Sequence, residues 1–306
     1  MSKSASLVVQ FLGGLPDPAR PVLIAGPTAS GKSALALEIA QAQNRVIINA
    51  DALQVHDMWR IVSARPSFED EALAEHLLYG HVPHDQAYSV GHWLREVTAC
   101  LHHHPNALLV GGTGLYLSAL TEGLAEIPAT PPDVRAQADS LLANDGLAAM
   151  IAALDAKTAA RIDLQNPARV QRAWEVLHST GRGLASWQDQ TGDPVLRLDQ
   201  ATPICLMPER DWLGDRIGTR FAQMIAQGAL NEARAALPFW PATAGTPTAP
   251  LWTRAIGAPE LVAHLQGHIS LSQAQDAATL ATRQFAKRQR SWFRNRMKSW
   301  RQIEIP

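Results

Sequence analysis

Cysteine is scarce in this chain, and long apolar runs are missing from it. Only Cys100 and Cys205 occur among the 306 residues, which excludes a disulfide framework and a zinc site built from four cysteines. Two isolated thiols are typical of buried side chains in a reducing compartment, and they predict a cytoplasmic protein. No apolar stretch approaches the length of about 20 residues that a membrane-spanning helix needs, so we expect no membrane partner.

Acidic residues are missing from the stretch 277–303, although the net charge of the whole chain is only −1. Because this stretch contains eight cations, the remainder of the chain is correspondingly acidic. Such an asymmetry predicts that one particular surface meets a polyanion. The cations are Arg283, Lys287, Arg288, Arg290, Arg294, Arg296, Lys298 and Arg301.

Four short apolar runs have the character of buried parallel strands. Each is bounded by Gly, Pro or Asn, and stretches with helical spacing lie between them. This alternation predicts an α/β fold with a doubly wound parallel sheet flanked by helices. Together with the motif GPTASGKS at Gly26–Ser33, it predicts a P-loop NTPase-like core. The four runs are Val22–Ala25, Val46–Ile48, Ala107–Val110 and Ile204–Met207.

The character of the chain changes between about Ala125 and Gln200. Alanine, leucine, glutamine and arginine are frequent there at helical spacing, and we predict no strand. We therefore predict a core domain of residues 1–124 and 201–306, with an all-helical insertion domain of residues 125–200. The core is expected to end in a long helix from Ser272 to about Lys298.

The segment Gly26–Ser33, GPTASGKS, has the pattern of a phosphate-binding loop, and we call it the phosphate loop. It lies between a predicted strand and a predicted helix at 34–42, which is the setting that this motif requires. Gly26 and Gly31 let successive backbone N–H groups point inward, and the start of the helix adds partial positive charge. Lys32 supplies a full charge, and the Ser33 hydroxyl is a candidate ligand for Mg²⁺.

No acid follows the predicted strand Ala107–Val110, which leads instead into Gly-Gly-Thr-Gly at 111–114. A motor-type NTPase needs an acid at such a position to hold Mg²⁺, so this class is disfavoured. The remaining candidates are group-transfer enzymes, either a small-molecule kinase or an enzyme that uses another diphosphate.

Asp51 follows the strand predicted at Val46–Ile48, beside the phosphate loop, where ligands bind in such sheets. It is a candidate general base, an indirect Mg²⁺ ligand, or the N-cap of the next segment. Gln54 has the amide that reads adenine edges, but it is also an ordinary surface residue. Thr113 is a candidate hydroxyl for the same pocket or a helix cap.

The predicted C-terminal helix separates its cations from its aromatic residues. At 100° per residue, six cations fall within about 80° of one another. This stripe predicts contact with RNA, and its alternative is a solvated amphipathic face. The cations are Arg283, Lys287, Arg290, Arg294, Lys298 and Arg301, and Phe285, Trp292, Phe293 and Trp300 lie on the other side.

The motif series resembles the tRNA dimethylallyltransferases, the IPP transferase family. The matching segments keep the family's order over essentially the whole chain. They are GPTASGKS, DALQVHDMWRIVSARP at 51–66, GGTGLYLSALTEGL at 111–124, NPARVQRAWEVLHSTG at 166–181, RIGTRFAQMIAQG at 216–228 and ATRQFAKRQRSWFRN at 281–295.

The resemblance implies a reaction and its partners. A dimethylallyl group passes from dimethylallyl diphosphate to N6 of the adenosine just 3′ of a tRNA anticodon, with release of diphosphate, and Mg²⁺ is the cofactor. The phosphate loop then holds the diphosphate of the donor through Gly26, Pro27, Thr28, Ala29, Ser30, Gly31, Lys32 and Ser33. Arg216 and Arg220, one helical turn apart, are candidates to extend that clamp or form a solvated basic face.

The resemblance also assigns catalytic and RNA-binding positions. Asp51 is the implied general base on the adenine amine, and Thr113 is its companion in the catalytic set. The implied tRNA contacts are Asp51, Ala52, Leu53, Gln54, Thr113, Arg135, Gln171, Arg172, Ala173, Trp174, Glu175, Lys287, Arg288, Arg290 and Arg294, to which the basic stripe adds Arg283.

The chain departs from the family pattern at three places. Asp51-Ala52 replaces Asp-Ser, the segment Arg60–Pro66 replaces Asp-Ile-Gly-Thr-Ala-Lys-Pro, and Ala258-Pro259 replaces an aromatic residue and a cation. Three other functions stay open from the residues alone. They are a kinase that uses ATP, prenyl transfer to a free adenine nucleotide, and a non-catalytic RNA-binding module. We expect a monomer.

Overall fold

The computed structural model describes residues 6–246 and 249–305. The chain folds as two compact units, of which the first comprises Met1–Thr121 and Val195–Pro306, and the second comprises Glu122–Pro194. No helix in the described ranges is both long enough and apolar enough to cross a membrane.

Helices occur in both units of the described chain. In chain order they are α1 (Leu7–Leu12), α2 (Lys32–Gln43), α3 (Phe68–Leu73), α4 (Val90–His103), α5 (Gly114–Glu122), α6 (Pro132–Asn144), α7 (Gly146–Ala152), α8 (Ala156–Ala159), α9 (Pro167–Thr180), α10 (Leu184–Gln188), α11 (Arg210–Ala226), α12 (Ala229–Ala236), α13 (Ala258–Leu265) and α14 (Leu271–Arg296).

The first unit contains a parallel sheet of six strands in the order β3-β2-β4-β1-β5-β6. The central strand β1 lies between β4 and β5, so chain connections run to both sides of it and leave a crevice at its carboxyl end. The strands are β1 (Val22–Ala25), β2 (Ile47–Asn49), β3 (His76–Leu77), β4 (Leu108–Gly111), β5 (Thr202–Pro208) and β6 (Arg301–Ile305).

Helices cover both faces of this sheet, because its central strands are apolar on both sides. Val22 and Ile24 of β1 pack with residues of α2, whereas Leu23 and Ala25 pack on the opposite face, where α4 and α5 also contribute. All four residues of β1 are fully buried. The predicted α/β fold with a P-loop NTPase-like parallel sheet is confirmed.

Four of the six strands coincide with the predicted apolar runs, and two were not predicted. Strand β3 has only two residues, too few for a periodic signal. Strand β6 lies at the sheet edge, where Ile303 and Ile305 are buried and their neighbours are exposed. Such a half-buried edge strand differs from the continuous apolar runs of the central strands.

The predicted long helix from Ser272 to about Lys298 is confirmed as α14, but the cations Lys298 and Arg301 of its predicted stripe lie beyond the helix. Helix α14 ends at Arg296, and Arg301 begins β6 opposite Ile204 of β5. The unpaired edge of β5 offers backbone partners to this segment. Docking there also buries Trp300 against the sheet. The cationic stripe on the helix is therefore shorter than predicted.

The second unit is helical and contains α6 to α10. Its apolar centre is formed by Ala138 of α6, Met150 of α7, and Val170 and Trp174 of α9. Asn166 caps the start of α9 by accepting a hydrogen bond from the N–H of Arg169.

Candidate active site and nucleic-acid interface

The phosphate loop connects β1 to α2 at the crevice of the sheet, and its two glycines are required for different reasons. Gly31 has a φ of +88° at the start of α2, a conformation that side chains with a Cβ rarely adopt. A Cβ on Gly26 would lie 2.7 Å from Ser30 Oγ and 3.2 Å from Leu206 Cβ. The loop therefore turns tightly against β5, and its helix begins directly at Lys32.

Lys32 interacts with charged groups from two other parts of the chain. Burial lowers the pKa of its ammonium group from 10.5 to about 8, nearby Asp51 opposes this shift, and nearby Arg220 adds to it. The ammonium also donates a hydrogen bond to the carbonyl of Pro27, 3.3 Å away. A partly desolvated cation in this loop is well suited to receive an anion.

Two arginines of α11 approach the phosphate loop. Arg216 donates from Nε to the carbonyl of Ala29 at 3.1 Å, and its guanidinium lies over the ring of Trp212. Burial lowers the pKa of Arg220, the neighbouring Arg216 lowers it further, and Asp51 raises it. The structure therefore brings both predicted clamp residues to the phosphate loop, with Arg220 near Asp51.

Asp51 is held at the end of β2 by a backbone turn that leaves one carboxylate oxygen facing β4. Its Oδ1 accepts a hydrogen bond from the N–H of Leu53 at 3.0 Å, which resembles the predicted N-cap contact. Its Oδ2 lies 3.2 Å from the point where a Cβ on Gly112 would be. The capping contact and a chemical role are thus compatible, because they use different oxygens.

The buried side chain of Asn49 fixes this turn, and sequence reasoning missed it. Its Oδ1 accepts from the N–H of Asp51 at 2.8 Å, and its Nδ2 donates to the carbonyls of Asp51 and Leu78, both at 3.0 Å. A fully buried asparagine at the end of an apolar strand is itself a signal, because such a side chain requires partners.

Thr113 connects the end of β4 to the Asp51 turn. Its hydroxyl oxygen accepts a hydrogen bond from the N–H of Ala52 at 2.9 Å, and its own N–H donates to the carbonyl of Ala50 at 3.3 Å. The hydroxyl keeps its hydrogen for donation. Thr113 therefore supports the turn that carries Asp51, besides any direct contact with substrate.

Gln54 uses its amide inside the protein. Its Nε2 donates to the carbonyls of Ser63 and Ala64, both at 2.9 Å. A two-point contact with adenine requires an N–H of the same group. In this conformation both hydrogens hold the turn at 63–64, so the bidentate adenine contact that the sequence suggested would require one of these bonds to break.

The outer side of α14 is cationic in the structure as well as in the sequence. Arg283, Lys287 and Arg294 are exposed on one side, together with the adjacent Arg288. Arg290 is half-buried, and its pKa is lowered by burial first and by Arg294 and Arg210 next. We call Arg283, Lys287, Arg290 and Arg294 the basic face.

A shallow groove runs along α14 beside the basic face. Its lining combines cations with the edge of the Trp292 ring. This ring packs so closely on Gly114 that a Cβ on Gly114 would lie 2.1 Å from a ring carbon. Grooves with cations and aromatic rings suit single-stranded nucleic acids. The lining residues are Gln284, Lys287, Arg288, Ser291, Trp292 and Asn295.

The predicted RNA contacts on α9 lie in the second unit around a buried carboxylate. Arg135 of α6 binds Glu175 with its Nε 2.9 Å from Oε1, and Gln171 donates to the same oxygen at 3.2 Å. Arg172 lies 3.8 Å from the other oxygen of Glu175. The side chains of Arg135 and Arg172 are 53% and 40% exposed, so these two guanidinium groups are the ones open to a ligand.

Ala173 and Trp174 are buried in the second unit. The Trp174 ring stacks on His178, with the two ring centres 3.6 Å apart. These two positions of the predicted RNA set therefore offer almost no surface to a ligand.

The departures from the family pattern are accommodated inside the first unit. Glu232 accepts hydrogen bonds from the N–H groups of Ile61 and Val62, which fixes the segment Arg60–Pro66. Ala258 is fully buried at the start of α13, where Glu260 accepts from the N–H of Gly257 at 3.0 Å.

Comparison with known proteins finds relatives along nearly the whole chain. Residues 54–296 match the family described as IPP transferase. The tRNA dimethylallyltransferase of Cereibacter sphaeroides (strain KD131) is 62% identical over 299 residues, which cover 97% of this chain and 93% of that protein. The tRNA dimethylallyltransferase of Paracoccus denitrificans is 60% identical over 295 residues, which cover 94% and 96%.

A solved structure agrees with these sequence relationships. The full-length tRNA isopentenylpyrophosphate transferase from Bacillus halodurans superposes with a TM-score of 0.63 at 29% identity, over 94% of this chain and 90% of that one. The resemblance inferred from the motif series is confirmed by the family match and by the identity over nearly full length. The chain therefore belongs to the IPP transferase family.

Proposed function

We propose that this protein transfers a dimethylallyl group from dimethylallyl diphosphate to N6 of the adenosine 3′-adjacent to a tRNA anticodon, releasing diphosphate. The observation that carries the proposal is the position of Asp51: a Cβ on Gly112 would lie 3.2 Å from its Oδ2 and 3.6 Å from the carbonyl oxygen of Gly26 in the phosphate loop. The carboxylate also interacts electrostatically with Lys32 and Arg220. A general base thus stands next to a site for a polyphosphate leaving group. The names of the relatives in Cereibacter sphaeroides and Paracoccus denitrificans support the same activity.

Asp51 is the general base of the proposed reaction. The amine of adenine is a weak nucleophile, because its lone pair is delocalised into the ring. As N6 forms a bond to the allylic carbon, it must lose a proton, and Asp51 Oδ2 accepts that proton. A positioned carboxylate in such a role contributes about 10²–10⁴-fold in rate. The hydrogen bond from the N–H of Leu53 to Oδ1 holds the carboxylate in one orientation.

The phosphate loop stabilises the departing diphosphate. The bond from the allylic carbon to oxygen breaks with its electron pair going to the diphosphate, so negative charge grows on that group. The N–H groups at the start of α2, the Lys32 ammonium and the guanidinium groups of Arg216 and Arg220 are the positive partners for this charge. Because these groups are already oriented toward the site, no solvent has to reorganise around the growing charge, and the activation barrier for transfer is lower.

Mg²⁺ is the proposed cofactor, and the residues present fit it only together with the diphosphate. Ser33 offers an exposed hydroxyl at the start of α2. The described residues contain no group of three acidic, cysteine or histidine side chains that could hold a metal by themselves. When bound, the ion would neutralise charge on the diphosphate oxygens. Phosphate oxygens normally complete such sites.

The basic face and the groove beside it are the proposed RNA contacts of the first unit. The stretch of α14 from Arg283 to Arg296 carries cations and no acid, which favours a phosphate backbone as its partner. The Trp292 edge in the groove suits an unpaired base rather than a duplex. An anticodon loop presents unpaired bases, so moving its adenosine into a pocket costs less than extruding a base from a duplex.

Transfer of isotope-labelled dimethylallyl groups to RNA tests the proposed function. The intact protein is incubated with labelled dimethylallyl diphosphate, Mg²⁺ and unmodified tRNA transcripts, and the RNA is digested to nucleosides. We expect label in N6-dimethylallyladenosine from the position 3′ of the anticodon. Label in free AMP instead of tRNA, or no label with several tRNAs, would contradict the proposal.

A further inference from the structure

One buried glutamine interrupts the cationic sequence of α14. Gln289 follows Arg288 and precedes Arg290, yet its side chain is only 7% exposed. The buried side of this helix otherwise consists of small or aromatic residues such as Ala286 and Phe293. A buried amide must find hydrogen-bond partners, so its contacts carry information about its role.

The amide of Gln289 bridges the two loops that form the candidate site. Its Oε1 accepts a hydrogen bond from the N–H of Thr28 in the phosphate loop at 2.9 Å. Its Nε2 donates to the carbonyl of Gly112, at the end of β4, also at 2.9 Å. Donor and acceptor ends are both used, so the orientation of the amide is fixed from both sides.

Gly112 leaves just enough room for this bridge. A Cβ at that position would lie 2.5 Å from Gln289 Nε2, 3.2 Å from Asp51 Oδ2 and 3.6 Å from the carbonyl oxygen of Gly26. The bridge, the general base and the phosphate loop therefore converge on one small volume. A change in the length or polarity of residue 289 therefore alters the distance between Asp51 and the phosphate loop.

We propose that Gln289 is a positioning residue that holds the phosphate loop at its working distance from Asp51 and thereby couples α14 to the reaction. This inference rests on the proposed function, because it assigns the two loops to the leaving group and the base. Helix α14 carries the basic face on its outer side and this bridge on its inner side. Displacement of the helix is passed to Thr28 and Gly112 through one side chain.

The bridge also determines which N–H groups of the phosphate loop can hold an anion. The N–H of Thr28 is already donated to Gln289, so it is not available to the diphosphate. The anion is left with the N–H groups nearer to the start of α2 and with Lys32. Gln289 thus defines one end of the anion site without touching the anion.

Substitutions at Gln289 with nearly the same shape test this role. Gln289→Met removes both hydrogen bonds, whereas Gln289→Glu keeps the acceptor for Thr28 and loses the donor to Gly112. Gln275 lies on the same helix remote from both loops, and Gln275→Met is the matched control. Transfer of labelled dimethylallyl groups to tRNA is measured under saturating conditions, with tRNA affinity and thermal unfolding measured separately.

We expect Gln289→Met to lower kcat by about 10- to 100-fold, because small misplacements of reacting groups are costly. The kcat of Gln289→Glu should lie between those of Gln289→Met and the wild type. The tRNA dissociation constant stays within about threefold, and Gln275→Met behaves as wild type. An unchanged kcat in a folded Gln289→Met, or an equal loss of tRNA affinity, would overturn the inference. No transfer by the wild type would instead contradict the proposed function.

A double-mutant cycle with Gly112→Ala separates positioning from general destabilisation. The added methyl group displaces the amide of Gln289 from the opposite end of the same contact. If the bridge acts as proposed, the double variant Gln289→Met/Gly112→Ala loses less kcat than the product of the two single losses, although Gly112→Ala also approaches Asp51 Oδ2 directly. Losses that multiply would mean that the two residues act independently, and this would overturn the coupling. Gln289→Glu provides the folded variant for the same cycle if Gln289→Met does not fold.

Discussion

The hydroxyl of Thr113 accepts a hydrogen bond from the backbone N–H of Ala52, 2.9 Å away. This contact ties the end of β4 to the turn after β2, one residue beyond Asp51. Because the backbone of residue 52 is the donor, its side chain is not needed for the bond. The alanine at this position, where the family has serine, therefore leaves the support of Asp51 intact.

Replacement of Thr113 tests whether this support matters for turnover. Thr113→Val keeps the shape but removes the acceptor, which leaves the N–H of Ala52 without its partner. We expect kcat for transfer to fall by about tenfold, because the Asp51 turn loses one of its anchors. Thr113→Ser keeps the hydroxyl and should retain most of the activity. Equal kcat values for the valine and serine variants would argue against the anchoring role.

Asp51→Asn should abolish proton transfer while leaving the protein folded. The amide cannot accept the adenine proton as a base does, so we expect kcat to fall by about 10²–10⁴-fold. Dissociation constants for tRNA, from filter binding, should change by less than about threefold. Asp57→Asn, further along the chain and exposed, is the matched control. Normal turnover by Asp51→Asn would refute the assignment of the base.

The pKa of Lys32 predicts a pH limit on the use of the donor. Burial lowers this pKa to about 8, so the ammonium is charged below that pH and neutral above it. We expect kcat/KM for dimethylallyl diphosphate to fall as the pH rises through about 8, by up to about tenfold per pH unit. Lys32→Arg keeps its charge across this range. Its profile should not show this decline, and an identical decline would assign the limit to another group.

The same pKa predicts how the stability of the unliganded protein depends on pH. Between the folded value of about 8 and the ordinary 10.5, the unfolded chain binds more protons at Lys32 than the folded protein. The contribution of Lys32 to the free energy of unfolding therefore rises as the pH increases through this window. Thermal unfolding of the wild type and of Lys32→Met is compared at about pH 7.5 and about pH 10. The unfolding temperature of the wild type relative to that of Lys32→Met should be higher at the higher pH. A lower relative unfolding temperature at that pH would contradict the prediction.

The basic face should determine the salt dependence of RNA binding. Lys287→Ala or Arg294→Ala removes one phosphate contact, which lowers the slope of log K against log salt concentration by about 0.7 in magnitude. Binding of unmodified tRNA is measured at salt concentrations between about 50 and about 200 mM. Lys298→Ala is the matched control, because Lys298 lies beyond the end of α14. An equal decrease in the slope for Lys298→Ala would mean that RNA binding depends on the total charge of the C-terminal segment and not on the basic face.

Much of the site could be predicted because its parts are local in sequence. The strand, the glycines and the following helix of the phosphate loop lie within one short segment, and the apolar runs of β1, β2, β4 and β5 indicate buried strands. Asp51 could be selected because strand ends beside such a loop face one crevice. Its role as a base still required the resemblance to a family.

The remaining features depend on contacts between distant segments. The contacts of Asn49, Thr113 and Gln289 could not be derived from the sequence, because their partners are backbone groups that the fold brings to them. The position at which α14 ends also depends on a contact with a distant segment. Amphipathic spacing favours a longer helix, but the open edge of β5 pairs with the segment Arg301–Ile305.

The sequence by itself determined the parallel α/β fold, the phosphate loop, the acid at the neighbouring strand end and the cationic helix, because these follow from local patterns of apolar residues, glycines and charge. Only the tertiary structure decided that Lys32 and Asp51 are neighbours, that the cationic stripe ends with α14, and that Gln289 joins the two loops. The physical reason is that burial and hydrogen-bond partners are properties of the packed chain, since the groups that satisfy a buried amide or shift a pKa come from remote parts of the sequence.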